Sequence, residues 1–167
     1  TNVSCNGEED GTITVSVSAG GEGLIQFAIA PNFNEFFSDS DNPGTYTFDE
    51  LAAGTYEILI KDDNGCFEKD FITIEEPDQI EVINIDTTPE LCIGANNGTV
   101  VFDVIGGTPF NDPLVSATPY FEYKIEMIDP VDESGTATFA PYTGEIIEDL
   151  QGGASYVIYI QDVNQCT

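Results

Sequence analysis

The sequence predicts an all-β fold of two tandem β-sandwich domains, residues 1–77 and 78–167. Three observations predict it. The chain repeats itself: Cys5-Asn-Gly7-Glu-Glu-Asp10-Gly11-Thr-Ile-Thr-Val15-Ser-Val17 returns as Cys92-Ile-Gly94-Ala-Asn-Asn97-Gly98-Thr-Val-Val-Phe102-Asp-Val104. Likewise Leu51-Ala-Ala-Gly54-Thr-Tyr56-Glu-Ile58-Leu-Ile60-Lys-Asp62-Asp-Asn64-Gly-Cys66 returns as Leu150-Gln-Gly-Gly153-Ala-Ser-Tyr156-Val-Ile158-Tyr-Ile160-Gln-Asp162-Val-Asn164-Gln-Cys166. Apolar and polar residues alternate with a period of two, and no stretch has helical periodicity. Halves of roughly 80–90 residues are each long enough to bury a core of their own.

Gly11–Ser18 is the first strand, with Ile13, Val15 and Val17 on one face and Thr12, Thr14 and Ser16 on the other. Phe27 and Ile29 belong to the next. Tyr46, Phe48 and Leu51 follow, then Tyr56, Ile58 and Ile60, then Phe71, Ile72 and Ile74. Asp63-Asn64-Gly65 is a tight turn, because Asn and Gly accept positive φ cheaply. Gly20-Gly21 and Gly106-Gly107 punctuate the corresponding place in each half. Leu51-x-x-Gly54-x-Tyr56 and Leu150-x-x-Gly153-x-x-Tyr156 read as the turn into a penultimate sandwich strand. There a tyrosine folds back to hydrogen-bond the corner backbone, as in immunoglobulin-like domains. A plain core tyrosine is the alternative for both Tyr56 and Tyr156.

Glu75-Glu76-Pro77-Asp78 is the domain boundary, since proline ends a strand and stiffens a junction. Ile80–Asp86 alternates again and supplies the second half with a leading strand that the first half lacks. The second half in turn lacks a match to Phe67–Ile74. Each domain is therefore expected to miss one edge strand. The chain reads as an interior piece of a longer secreted protein.

The formal charge is −28, from 31 acidic and 3 basic residues with no histidine. An apolar share of 41% is ordinary for a globular chain, so the acidity belongs to the surface. Such a surface repels nucleic acid and anionic lipid. No apolar run approaches the ~20 residues of a membrane span, so membrane insertion is not expected. With no histidine, most nucleophile–base pairs are unavailable, and no enzyme is expected. A glycosidase, which needs only two carboxylates, is the one enzymatic alternative.

The four cysteines, Cys5, Cys66, Cys92 and Cys166, read as disulfides in an oxidising compartment. Zinc is disfavoured without histidine or a close cysteine pair. The simple pairing is Cys5–Cys66 with Cys92–Cys166. In an immunoglobulin-like order, however, the strand after Cys5 and the strand before Cys66 run the same way. Those cysteines would then stand at opposite poles, a strand length of ~20 Å apart, where a disulfide needs Cα atoms within about 7 Å. The other pairing is Cys5–Cys166 between domains stacked head to tail, with Cys66 and Cys92 left to neighbouring repeats. A different strand order would restore the simple pairs, so both stay open.

In order, these residues resemble the SprB-type repeat of Bacteroidetes surface proteins: Cys and an acidic-glycine loop, an alternating Thr/Val strand, Gly-Gly, Leu-x-x-Gly-Thr-Tyr, Asp-x-x-Gly-Cys, and the exit Ile72-Thr-Ile-Glu-Glu-Pro77. The second half departs from it, with Gln165 in place of the turn glycine and a longer insertion from Ser116 to Glu133. The resemblance implies a secreted, multi-repeat cell-surface adhesin of gliding bacteria and no enzyme. It also implies Asp86-Thr87-Thr88 as an O-glycosylation acceptor, with sugar on Thr87.

No cofactor is required by any motif; calcium is the candidate. Asp39-Ser-Asp41-Asn-Pro43-Gly44, with Glu50 in the twelfth position, partly matches an EF-hand loop. Pro43 sits where an oxygen ligand belongs, and Thr45–Glu50 reads as a strand. A non-helical calcium site could draw on Glu8, Asp10, Asp39, Asp41, Asp62, Asp63, Glu76 or Asp78. The alternative is solvated carboxylates screened by salt. Phe33, Phe36 and Phe37, with Thr108-Pro-Phe110 and Pro119-Tyr-Phe121, are either loop anchors or a ligand platform. Three functions follow: a rigid spacer whose partners are neighbouring repeats, a module binding polysaccharide or a solid surface, or an accessory domain of a secreted enzyme.

Overall fold

The computed structural model describes residues 1–112, 114–116, 118–129 and 138–167. The alternating stretches become strands, and the described residues contain no helix. They form two units, Thr1–Glu76 and Pro77–Thr167, so the break falls one residue before the expected one.

In the first unit, β1 (Gly11–Ser16) and β3 (Thr45–Leu51) form one antiparallel sheet. The strands β2 (Gln26–Ile29), β4 (Gly54–Lys61) and β5 (Phe67–Ile74) form the other, in the order β2-β4-β5. Alternation explains the packing. Ile13 of β1 is buried and Thr14 is exposed, where its hydroxyl meets that of Thr47 at 2.9 Å. Val3, Ile13, Phe27, Phe48, Ile58 and Ile74 form one core drawn from both sheets, so the unit is a sandwich. The first strand stops at Ser16, two residues short of the expected end. Val17 still donates to the Gly44 carbonyl at 2.8 Å, but Gly20 and Gly21 then turn the chain with positive φ. Phe71 and Ile72 lie in β5 as expected, yet both are exposed.

The second unit repeats this frame. β6 (Glu81–Thr88), β7 (Gly98–Ile105) and β10 (Ile147–Leu150) form one sheet, in the order β10-β7-β6. β8 (Phe121–Asp129), β9 (Ala140–Tyr142) and β11 (Ser155–Gln161) form the other, in the order β11-β8-β9. Val100, Phe102, Tyr142, Ile147 and Ile160 make its core. Strands β1, β2, β3 and β4 thus answer to β7, β8, β10 and β11. The trailing strand β5 exists only in the first unit, and the leading strand β6 only in the second. β9 answers to the single Phe27↔Phe37 bridge on the free edge of β2. The expected insertion, Ser116–Glu133, runs through β8, and its residues 117 and 130–133 lie outside the described residues.

One irregularity recurs. Between Gly11↔Leu51 and Ile13↔Phe48 the register slips by one residue, as it does between Leu150↔Gly98 and Ile147↔Val100. The extra residue is Glu50 in one unit and Asp149 in the other, at φ 53° and 63°. The bulge pushes a carbonyl against the facing strand. A Cβ on Gly11 would lie 2.7 Å from the Leu51 oxygen, and one on Gly98 2.8 Å from the Leu150 oxygen. Glycine at both places is therefore a steric requirement of the bulge.

Candidate functional site

The chemistry-bearing residues of each unit gather at its two ends. At one end of the first unit, the Cys5–Asp10 loop is locked by acids. Asp10 accepts the Ser4 N–H at 2.9 Å, and Glu76 accepts the Gly7 N–H at 2.7 Å. The second unit does the same with other residues: Asn97 accepts from Leu91 at 3.0 Å, and Glu90 accepts from Gly94 and Asn96 at 3.1 and 3.2 Å. Hydrogen bonds from Ser4 hold the Asp10 carboxyl below the ordinary aspartate value. The Gly94 N–H holds Glu90 below the ordinary glutamate value, against a smaller upward push from burial.

At the other end sits a buried carboxylate. Asp62 follows β4 and continues the inward face of Ile58 and Ile60. It accepts the Cys66 N–H at 2.9 Å and the Glu22 N–H at 3.2 Å. Its neighbour Asp63 accepts the Leu24 N–H at 2.9 Å. Asp162, fully buried, accepts from Thr108 at 2.8 Å, Asn164 at 2.9 Å and Cys166 at 3.0 Å. Asp62 thus ties the turn after β4, and Asp162 the turn after β11, to the glycine-pair loop of its unit. Three converging N–H dipoles let a carboxylate be buried without a cation.

The expected corner is present in both units. The Tyr56 hydroxyl donates to the Ala52 carbonyl at 2.9 Å, and the Tyr156 hydroxyl accepts the Gln151 N–H at 2.8 Å. Tyr56→Phe should lower stability by about 1 kcal/mol in urea unfolding, since the ring stays packed and one hydrogen bond is lost. No change on that substitution and none on Tyr156→Phe would together make both rings plain packing.

The proposed calcium ligands are dispersed. Asp39 accepts from the Asp41 backbone at 2.8 Å and the Asn42 amide at 3.1 Å, and those bonds, the Asn42 side chain first, keep its carboxyl below the ordinary value. Glu50, twelfth in the EF-hand reading, is the bulge residue of β3. Glu8, Asp41 and Asp78 are exposed. Among the described residues, no three acidic, cysteine or histidine side chains cluster as a metal site. The net charge still opposes compactness, so salt should stabilise the protein. Calcium chloride and sodium chloride at equal ionic strength should therefore give equal melting temperatures; a clear excess with calcium would point to a specific site.

The loop aromatics are used as anchors. Phe37 exchanges backbone hydrogen bonds with Phe27 at 2.8 Å and stacks on Tyr46, with ring centres 5.3 Å apart. Phe36 lies under the Lys61 ammonium at 4.6 Å. Phe110 pairs with Tyr120 and stacks on it at 5.3 Å, while Phe121 packs on the core. Phe33 is half-buried in the same loop as Phe37. Thr87 lies exposed on β6 opposite Val100.

Cys5 and Cys166 are disulfide-bonded, and Cys66 and Cys92 are exposed free thiols. The pairs Cys5–Cys66 and Cys92–Cys166 are therefore not formed. The strand order is the physical reason. Both β1 and β4 run toward the end where Asp62 meets the Gly21-Glu22 loop, which leaves Cys5 at the start of β1 and Cys66 past the end of β4.

Sequence reasoning missed three residues. Asp162 and Glu90 were legible as the partners of repeated positions, Asp162 by its inward parity with Ile158 and Ile160. Tyr142 had no such signal. It sits on β9, buried, and its hydroxyl donates to the Phe102 carbonyl at 2.6 Å while accepting the Phe102 N–H at 3.0 Å.

A sequence model of the SprB repeat family matches residues 1–31, which take in the Cys5 loop, β1, Gly20-Gly21 and β2. The resemblance read from the sequence holds over that stretch. No curated protein matches the chain.

Proposed function

We propose that this chain is a repetitive stalk or spacer segment of a secreted cell-surface adhesin, serving gliding motility or surface attachment, with no catalytic role. The observation that carries the reading is what the two units have in common. Their shared side chains, Asp62 and Asp162, Tyr56 and Tyr156, Asp10 and Asn97, are all spent on backbone ties. A frame repeated together with its fastenings suits a spacer, whose partners are neighbouring repeats. The SprB match over residues 1–31 supports the cell-surface setting.

A glycan array probed with the intact chain tests the reading against the polysaccharide-binding alternative. No saturable binding is expected; reproducible binding to one glycan class would replace the spacer with a recognition module.

The same reading takes Cys5–Cys166 as the disulfide. Its support is that these two cysteines are bonded while Cys66 and Cys92 are free. Non-reducing peptide mapping should recover a Cys5–Cys166 linked peptide, and a Cys5–Cys66 peptide would rule the link out.

A further inference from the structure

The outward face of the sheet β2-β4-β5 carries both lysines of the first unit, Lys61 and Lys69. Parity places them there. Ile58 and Ile60 of β4 point into the core, so Glu57, Leu59 and Lys61 point out. Their partners across the ladder, Phe71, Lys69 and Phe67, share that face. Two contacts agree with this. The Thr55 and Thr73 hydroxyls meet at 3.0 Å on the same side, and the Lys69 ammonium reaches Glu57 at 2.6 Å.

This face is unlike the rest of the surface. Phe67 and Phe71 are 68% and 63% exposed, two large apolar side chains on one strand. Two lysines against one glutamate leave the face positive, in a chain whose formal charge is −28. Lys69 is paired with Glu57. Lys61 lies over the Phe36 ring at 4.6 Å, but among the described residues no carboxylate pairs with it. On the matching face of the second unit the lysine is already used: Lys124 meets Glu126 at 2.9 Å and lies over Tyr159 at 4.4 Å. An exposed ammonium without an acid, beside bare aromatic rings, fits a partner that brings both a carboxylate and an apolar surface.

The face is its own complement. Its central rung is Leu59↔Lys69, flanked by Glu57↔Phe71 on one side and Lys61↔Phe67 on the other. A two-fold axis along the central rung, between two stacked sheets, exchanges the flanking rungs. Glu57 then lies over the partner's Lys61, and Phe71 over the partner's Phe67, and each contact occurs twice. Leu59 meets its own copy at the axis, and each Lys69 keeps Glu57 beside it. Copies of so acidic a chain that met through most other surfaces would set carboxylate against carboxylate.

We propose that this face docks on the same face of a second copy of the chain, in an isologous, sheet-on-sheet contact. The reciprocal pairs of Glu57 with Lys61 fix its register, and the packing of Phe67, Phe71 and Leu59 holds it. The inference goes beyond the spacer reading and does not rest on it.

Sedimentation equilibrium of the full chain tests it, at about 0.15 M salt, where a Debye length of about 8 Å limits the repulsion between two acidic chains. Cys66→Ser and Cys92→Ser are included throughout, so that disulfide cross-links are not counted. The chain should follow a monomer–dimer equilibrium with a dissociation constant below about 1 mM. Phe71→Ser should weaken it roughly tenfold or more by removing two apolar contacts per dimer. Lys61→Glu sets acid against Glu57, and Glu57→Lys sets base against Lys61, so each alone should weaken it as much. An equimolar mixture of those two chains recreates both ion pairs in the heterodimer and should recover the parent's affinity to within about threefold. Unfolding midpoints near the parent's show that each variant is folded. A monomer at all concentrations up to about 1 mM, a dimer indifferent to Phe71→Ser, or a mixture that associates no better than its components would each overturn the proposal.

Discussion

Asp162→Ala should destabilise the second unit by about 3 kcal/mol, because a buried N–H left without an acceptor costs about 1–3 kcal/mol. The carboxylate is fully buried and serves Thr108, Asn164 and Cys166 at once. Alanine takes the carboxylate acceptor away from all three N–H groups. Asp162→Asn keeps the shape but turns an NH2 toward N–H donors, so it should recover only part of the loss. Urea unfolding, with amide exchange on β7 and β11 to locate the change, measures both. A loss below about 1 kcal/mol for the alanine variant would mean the tie is dispensable. Asp62→Ala should cost the first unit less, since Asp62 holds two N–H groups and one of those bonds is 3.2 Å long.

Tyr142→Phe should cost the second unit about 2 kcal/mol, the combined effect of an unpaired buried N–H and an unpaired buried carbonyl at Phe102. The ring itself would stay, stacked on Phe102 with centres 4.3 Å apart. The exposed Tyr159→Phe is the control and should change little. An alkaline titration gives a second readout. Burial pushes the Tyr142 hydroxyl above the ordinary tyrosine value, so its neutral form belongs to the folded state. The stability this contributes is fully present below the unfolded value of about 10 and is lost as pH rises through the folded one. The extra loss of stability above about pH 10 should therefore be smaller in Tyr142→Phe than in the parent chain.

The legible part of this fold is the part with a period or a copy. Ile13 against Thr14 announces β1 by alternation, and the echo of Cys5–Val17 in Cys92–Val104 announces a second domain before any strand is assigned. Tyr56 and Tyr156 are readable because a corner needs Leu, Gly and Tyr at fixed spacing. What stayed hidden lacked such a signal. Tyr142 belongs to a strand of three residues that the first unit reduces to a single bridge at Phe37, and its partner Phe102 is 40 residues away. Phe71 and Ile72 look like core by composition but are exposed, because β5 is the edge strand of its sheet and successive side chains on it point to opposite faces. Asp62 reads naturally as a metal ligand in so acidic a chain. Its parity with Ile58 and Ile60 was the contrary signal, since an inward carboxylate needs N–H partners more than it needs a cation.

The aspartate ties also bear on how much of each loop heredity must preserve. Asp62 and Asp162 grip only main-chain N–H groups, which every residue but proline supplies. Glu22 in one repeat and Thr108 in the other fill the same role. One side chain is specified and its partners are interchangeable. Around so undemanding an anchor, the loops of successive repeats are free to diverge in length and chemistry while the frame beneath them is inherited unchanged.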